Sequence, residues 1–104
     1  MLVRIAYFEG TVRPGCEADF DRYVRETLLP IWRRTPNAMR VEVMRETGAD
    51  DGAHRFPLIL QIAYADSAAL DEALASPVRM EGREATQALF ASFEGRIFHA
   101  VYEN

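Results

Sequence analysis

Apolar and polar positions alternate from Leu2 to Thr11 in a stretch rich in β-formers, which predicts a first strand. Arg13-Pro14-Gly15 ends it with turn chemistry. From Glu17 the period changes. Phe20, Tyr23, Val24, Thr27, Leu28 and Ile31 fall at i, i+3, i+4, i+7, i+8 and i+11, the stripe of an amphipathic helix. Asp19, Arg22, Arg25, Glu26 and Arg33 lie opposite. Pro30 sits inside this helix, removes one hydrogen bond, and is expected to kink or tighten it. Leu29 points away from the stripe and Trp32 lies at its margin; both read either as interface residues or as residues repositioned by the kink.

Thr35-Pro36-Asn37 closes the helix, and Ala38 to Glu46 alternates again as a second strand. Thr47 to Arg55 is polar with two glycines, a loop between antiparallel strands. Phe56 to Ala65 is the most apolar stretch and reads as a third, central strand. Asp66 or Ser67 then caps a short helix ending near Ala75. Ser76-Pro77 restarts it, Ser as N-cap and Pro in the first turn, with Val78, Gly82, Ala85, Leu89 and Phe93 as its stripe. Glu94-Gly95 is expected to stop that helix and Arg96 to Tyr102 to form strand 4.

The order β-α-β-β-α-β predicts an α+β, ferredoxin-like domain: a four-stranded antiparallel sheet with both helices on one face and strands 1 and 3 central. Alternation divides each strand into two faces. Val3, Ile5, Tyr7, Met39, Val41, Val43, Leu58, Leu60, Ile62, Tyr64, Phe98, Ala100 and Tyr102 are almost wholly apolar and are expected under the helices. Arg4, Ala6, Phe8, Arg40, Glu42, Met44, Ile59, Gln61, Ala63, Ile97, His99 and Val101 form the second set. About half of it is apolar, and no element remains to cover it. A homodimer packing sheet against sheet through this face is the economical solution.

Composition narrows the setting. A chain of 104 residues is read as one domain, 1–104, long enough for a core without metal or disulfide staples. No apolar run approaches the ~20 residues of a membrane span, and no leader pattern opens the chain. The single cysteine, Cys16, fits a reducing cytosol, so a cytoplasmic protein is expected. A net charge of −4 argues against nucleic acid. Every one of the twelve basic residues is arginine, which reads as a coding bias.

Several short motifs stand in a recognisable order. Arg13-Pro14-Gly15 follows strand 1, Phe20-x-x-Tyr23 opens the helix, and Glu26-Thr27-Leu28-Leu29-Pro30 continues it. Ala75-Ser76-Pro77 precedes Ala85, Ala88 and Phe93. In this the chain resembles, over essentially its whole length, the dimeric α+β barrel superfamily. EthD-like proteins are the nearest likeness, with REDY-like and antibiotic-biosynthesis monooxygenase-like proteins beside them. The resemblance implies a homodimer whose subunits join their sheets into a barrel. Such families include cofactor-independent monooxygenases, haem-degrading enzymes, isomerases and accessory proteins. EthD-like helices often carry histidine just before the Leu-Pro pair. Leu28 stands there in this chain, so no histidine role carries over.

The candidate chemistry lies in the second sheet set. His99 offers an imidazole as general base. Arg4 is suited to an anionic or enolate-like oxygen, and Gln61 supplies a hydrogen bond. These three are the candidate catalytic residues, with Phe8, Tyr23, Trp32, Glu42, Met44 and Ile59 as ligand-binding lining. His99 also reads as an interface residue bonded to Glu42, Gln61 or a backbone carbonyl. His54, beside Asp50 and Asp51, belongs to a solvated loop, and no ligand-spaced set implies a metal. No cofactor is expected; haem held through His99 and Trp32 is the outlying alternative. The function read from this is a homodimeric small-molecule protein acting on an aromatic or polyketide-like metabolite. It would be a cofactor-independent oxygenase, cyclase or isomerase, or else a non-catalytic accessory subunit.

Overall fold

Each boundary in the chain has a local cause. The computed structural model describes residues 1–104, and strand β1, Leu2–Val12, is its first element. Helix α1 runs from Glu17 to Trp32, but not as one regular helix. Its middle, Val24–Leu28, is π-helical, and the Leu29 N–H donates to the Val24 carbonyl five residues back. Pro30 has no N–H to donate and its ring crowds the preceding turn. The helix therefore widens where tightening was one expectation, a common local answer to a broken ladder. Strands β2, Arg40–Arg45, and β3, Leu58–Tyr64, follow.

Helix α2, Ser67–Leu74, begins at Asp66, whose carboxylate accepts the Ala69 N–H at 2.9 Å. Helix α3, Pro77–Gln87, begins at Ser76, whose hydroxyl accepts the Arg79 N–H at 3.3 Å and donates to the Ala73 carbonyl at 2.6 Å. A short 3₁₀ turn, Ala88–Ala91, leads into strand β4, Phe93–Glu103. Strand β4 thus starts earlier than the Glu94-Gly95 stop implied. Gly95 pairs with Gly10 across the β1–β4 ladder, both at positive φ. A Cβ on either would strike the opposing backbone, so the glycine pair lets the ladder run on to Phe93.

The sheet order is β2-β3-β1-β4, antiparallel throughout, with the helices against one face. Phe8, Leu28, Leu58, Leu89 and Phe93 are the largest fully buried side chains and form the heart of the core. Trp32, expected at the margin of the helix stripe, is buried.

The pairing corrects the assignment of faces. Ala6 lies opposite both Leu60 and His99, and Val41 opposite Ile62. Arg4, Ala6, Phe8, Ile97 and His99 therefore share the helix-covered face with Val41, Val43, Leu58, Leu60, Ile62 and Tyr64. Val3, Ile5, Tyr7, Phe98, Ala100 and Tyr102 lie on the open face with Ile59, Gln61, Ala63, Arg40, Glu42 and Met44. Strands β2 and β3 were divided correctly, except that Met39 precedes its strand and is 62% exposed. Strands β1 and β4 are inverted. The cause is register: alternation fixes the faces of one strand, but only pairing joins the faces of two. Both parities of β1 are largely apolar, so the count alone favoured the wrong one.

Candidate active site

A half-open cleft of about 400 Å³ lies between the helices and the covered face of the sheet. Its floor is apolar, with Ala6 and Phe8 from β1, Leu60 and Ile62 from β3, and Ile97 from β4. Ile31 and Trp32 close the side toward α1, where Trp32 meets the Phe8 ring edge-on at 6.3 Å between centroids. Gly82 on α3 is buried against the same pair, its missing side chain facing Ile31 and Trp32.

The polar lining is one-sided in charge. Arg4 enters from β1, Arg79 and Arg83 from α3, and His99 from β4, joined by Tyr64, Thr35, Thr86 and Gln87; no carboxylate is among them. Arg4 and His99 are diagonal neighbours on one face, since Arg4 pairs with Val101 two residues along β4. His99 sits at the mouth, partly open to solvent. Partial burial, followed by the charges of Arg4 and Arg79, pushes its imidazole down to about 4, so the ring is neutral at pH 7. Burial and Arg79 lower Arg4 from its ordinary value, while Tyr64 opposes them; it remains a cation. Burial raises the Tyr64 phenol against the pull of Arg4 and Arg79.

The candidate residues divide between the faces. Arg4, His99, Phe8 and Trp32 come together in the cleft. Gln61, Glu42, Met44 and Ile59 do not, because their strands turn them to the open face. Glu42 there pairs with Arg40 at 2.9 Å. Tyr23 is not in the lining either: its hydroxyl donates to the Ala85 carbonyl at 2.7 Å and ties α1 to α3. His54 is held at 2.7 Å from Glu9 in its exposed loop. No group of three His, Cys, Asp or Glu side chains is placed to hold a metal.

Sequence reasoning missed Arg79, Arg83, Tyr64, Thr86 and Gln87. A signal for three of them was present. Arg79, Gly82, Arg83 and Thr86 stand at i, i+3, i+4 and i+7, a second stripe on α3 beside the apolar one. Arg79, Arg83 and Thr86 on one helix face, beside a glycine packed against Ile31 and Trp32, mark the polar wall of the cleft.

The same architecture recurs in solved structures. An EthD-family protein from Bacillus halodurans superposes with a TM-score of 0.76 at 22% identity, covering 100% of this chain and 98% of that one. This chain shares its ferredoxin-like α+β fold with EthD-family and antibiotic-biosynthesis monooxygenase-like proteins. An antibiotic biosynthesis monooxygenase matches at TM-score 0.65 and 17% identity, covering 100% and 98% of the two chains. SnoaB from Streptomyces nogalater, a cofactor-independent oxygenase, matches at 0.64 and 20%, covering 99% and 91%. No protein-family model matches the sequence, and no curated protein does. No helix is long and apolar enough to cross a membrane. The EthD and monooxygenase fold accounts for the helix-covered sheet in which the cleft is set.

Proposed function

We propose that this protein is a homodimer that binds a small aromatic or polyketide-like molecule in the cleft and removes a proton from it. The observation that carries the reading is the cleft itself. About 400 Å³ of space over an apolar floor, with a few convergent polar groups, is the composition of a small-molecule site. An isomerase, a cyclase and a cofactor-independent oxygenase share one opening step. A C–H bond beside a carbonyl breaks, its proton passes to a base, and its electron pair moves onto the carbonyl oxygen as an enolate. His99 supplies the neutral imidazole and Arg4 the cation for the enolate oxygen. Kinship of fold with a cofactor-independent oxygenase supports the class and no particular substrate.

One observation favours a second reading, a non-catalytic binding or accessory subunit. An imidazole near 4 is a weak base at neutral pH, and no side chain hydrogen-bonds His99 to fix its tautomer. Exchange chemistry separates the two. Benzoylacetone incubated with the protein in deuterium oxide should take up deuterium at its central carbon faster than in buffer alone. His99→Ala should remove the acceleration, and Arg4→Ala should lower it. Binding with no acceleration would establish the accessory reading, and full activity in both variants would sink the assignment of the residues.

A further inference from the structure

We propose that the natural ligand of the cleft is an amphipathic anion, with a carboxylate or phenolate oxygen at Arg4, Arg79 and Arg83 and an apolar body over Phe8, Trp32, Leu60 and Ile62. The inference rests on the cleft being a small-molecule site, and it names what that site selects.

The charge distribution carries it. The chain has sixteen carboxylate side chains and a net charge of −4, yet none of those side chains lines the cleft. Eight of the twelve arginines are ion-paired: Arg13, Arg22, Arg25, Arg34, Arg40, Arg45, Arg55 and Arg96. Arg4, Arg33, Arg79 and Arg83 are not, and three of these four line the cleft. Arg79 and Arg83 stand one turn apart on α3, where like charges repel. Arg4 is half-buried beside them, and a desolvated guanidinium without a partner is costly. An anion relieves all three at once. Guanidiniums offer planar forks of N–H donors that match a carboxylate or phenolate better than a point cation would. The apolar floor argues against a bare inorganic anion, which would leave that surface exposed to water.

Isothermal titration of the 104-residue chain tests this with 2-naphthoate, its neutral isostere 2-naphthamide, and inorganic phosphate. Wild type should bind naphthoate at least about tenfold tighter than naphthamide, as charge-assisted hydrogen bonds imply. Phosphate should bind more weakly than naphthoate. The double variant Arg79→Gln/Arg83→Gln, in which Arg4 remains, should lose most of the naphthoate preference and leave naphthamide affinity within about twofold. Arg83→Gln alone, at an exposed position, should show a smaller loss of the same sign. Equal affinity for the two naphthalenes, abolished by Gly82→Leu, would overturn the anion inference while the cleft remained a binding site. Phosphate matching naphthoate would overturn the apolar half. Failure of both naphthalenes to bind would overturn the inference together with the cleft reading.

Discussion

His99 is the residue whose surroundings make the sharpest claim. The charges that act on it are Arg4 from β1 and Arg79 from α3; Arg83 and Tyr64 line the same cleft. Partial burial opposes protonating the imidazole first, and the two cations, with no anion to balance them, add to it. The ring's C–H resonance in an NMR pH titration should therefore move with a midpoint near 4. Arg79→Gln should raise that midpoint, and so should saturating naphthoate, since either reduces the positive field. A midpoint at the ordinary histidine value would show that the ring is fully solvated and outside the field of the arginines. The linkage sign follows from the direction of the shift. The folded state binds this proton less readily than the unfolded chain, whose histidine titrates near ~6.5. His99 therefore costs no stability above that value and an increasing amount as pH falls from it toward 4. His99→Gln should flatten this part of the acid-side stability curve. Residue type and strand position put His99 and Arg4 together on one sheet face, and the cleft lining holds both. What faces them was not legible, because proximity between β4 and α3 is a tertiary fact that no local pattern carries.

At the scale of elements, most of the fold was written in periodicity and punctuation. Asp66, Ser76 and Pro77 stop and start α2 and α3 by satisfying or removing backbone donors, and these signals are local. The misreadings arose where elements meet. Gly95 looked like a helix stop, but its use is across the ladder, where Gly10 meets it. The faces of β1 were misassigned because Val3, Ile5 and Tyr7 outnumber Ala6 and Phe8 as apolar residues, and a shift by one residue reverses every side chain. Gly82 is the corresponding lesson on α3. A glycine in mid-helix costs about 0.5–1 kcal/mol relative to alanine. Here a Cβ would meet Ile31 only at ordinary contact, 3.5 Å from its Cγ2. Gly82→Ala should therefore stabilise the protein by up to about 1 kcal/mol, raising the thermal midpoint by several degrees. It should also weaken binding of naphthalene-sized ligands, because the methyl group enters the cleft beside Trp32. A lowered midpoint would mean that α3 is packed more tightly on α1 than these distances imply.

For the whole molecule, inverting β1 and β4 strengthens the case for a partner while moving the chemistry off that surface. With Val3, Ile5, Tyr7, Phe98, Ala100 and Tyr102 restored to it, the open face is more apolar than alternation alone suggested. Its polar groups are largely satisfied within the chain. Arg40 pairs with Glu42 at 2.9 Å, the Tyr7 and Tyr102 hydroxyls meet at 2.9 Å, and Glu9 at one end holds Arg96 and His54. Such a face loses little by leaving water and gains from every apolar side chain it covers. Phe56, from the β2–β3 loop, packs edge-on against Tyr7 and Phe98 but covers only that end. A second copy laid across the remainder would bury Ile5 at its centre, between Gln61 and Ala100. Ile5→Glu places a charge there that a lone chain can leave in water but that a dimer must bury without a partner. Sedimentation velocity should show a dimer for wild type and a monomer for Ile5→Glu, with unchanged far-ultraviolet circular dichroism. Because the cleft lies on the other face, the monomeric variant should still bind naphthoate. A dimer that survives Ile5→Glu would place the interface elsewhere. A monomer that loses naphthoate would show that the partner completes the cleft.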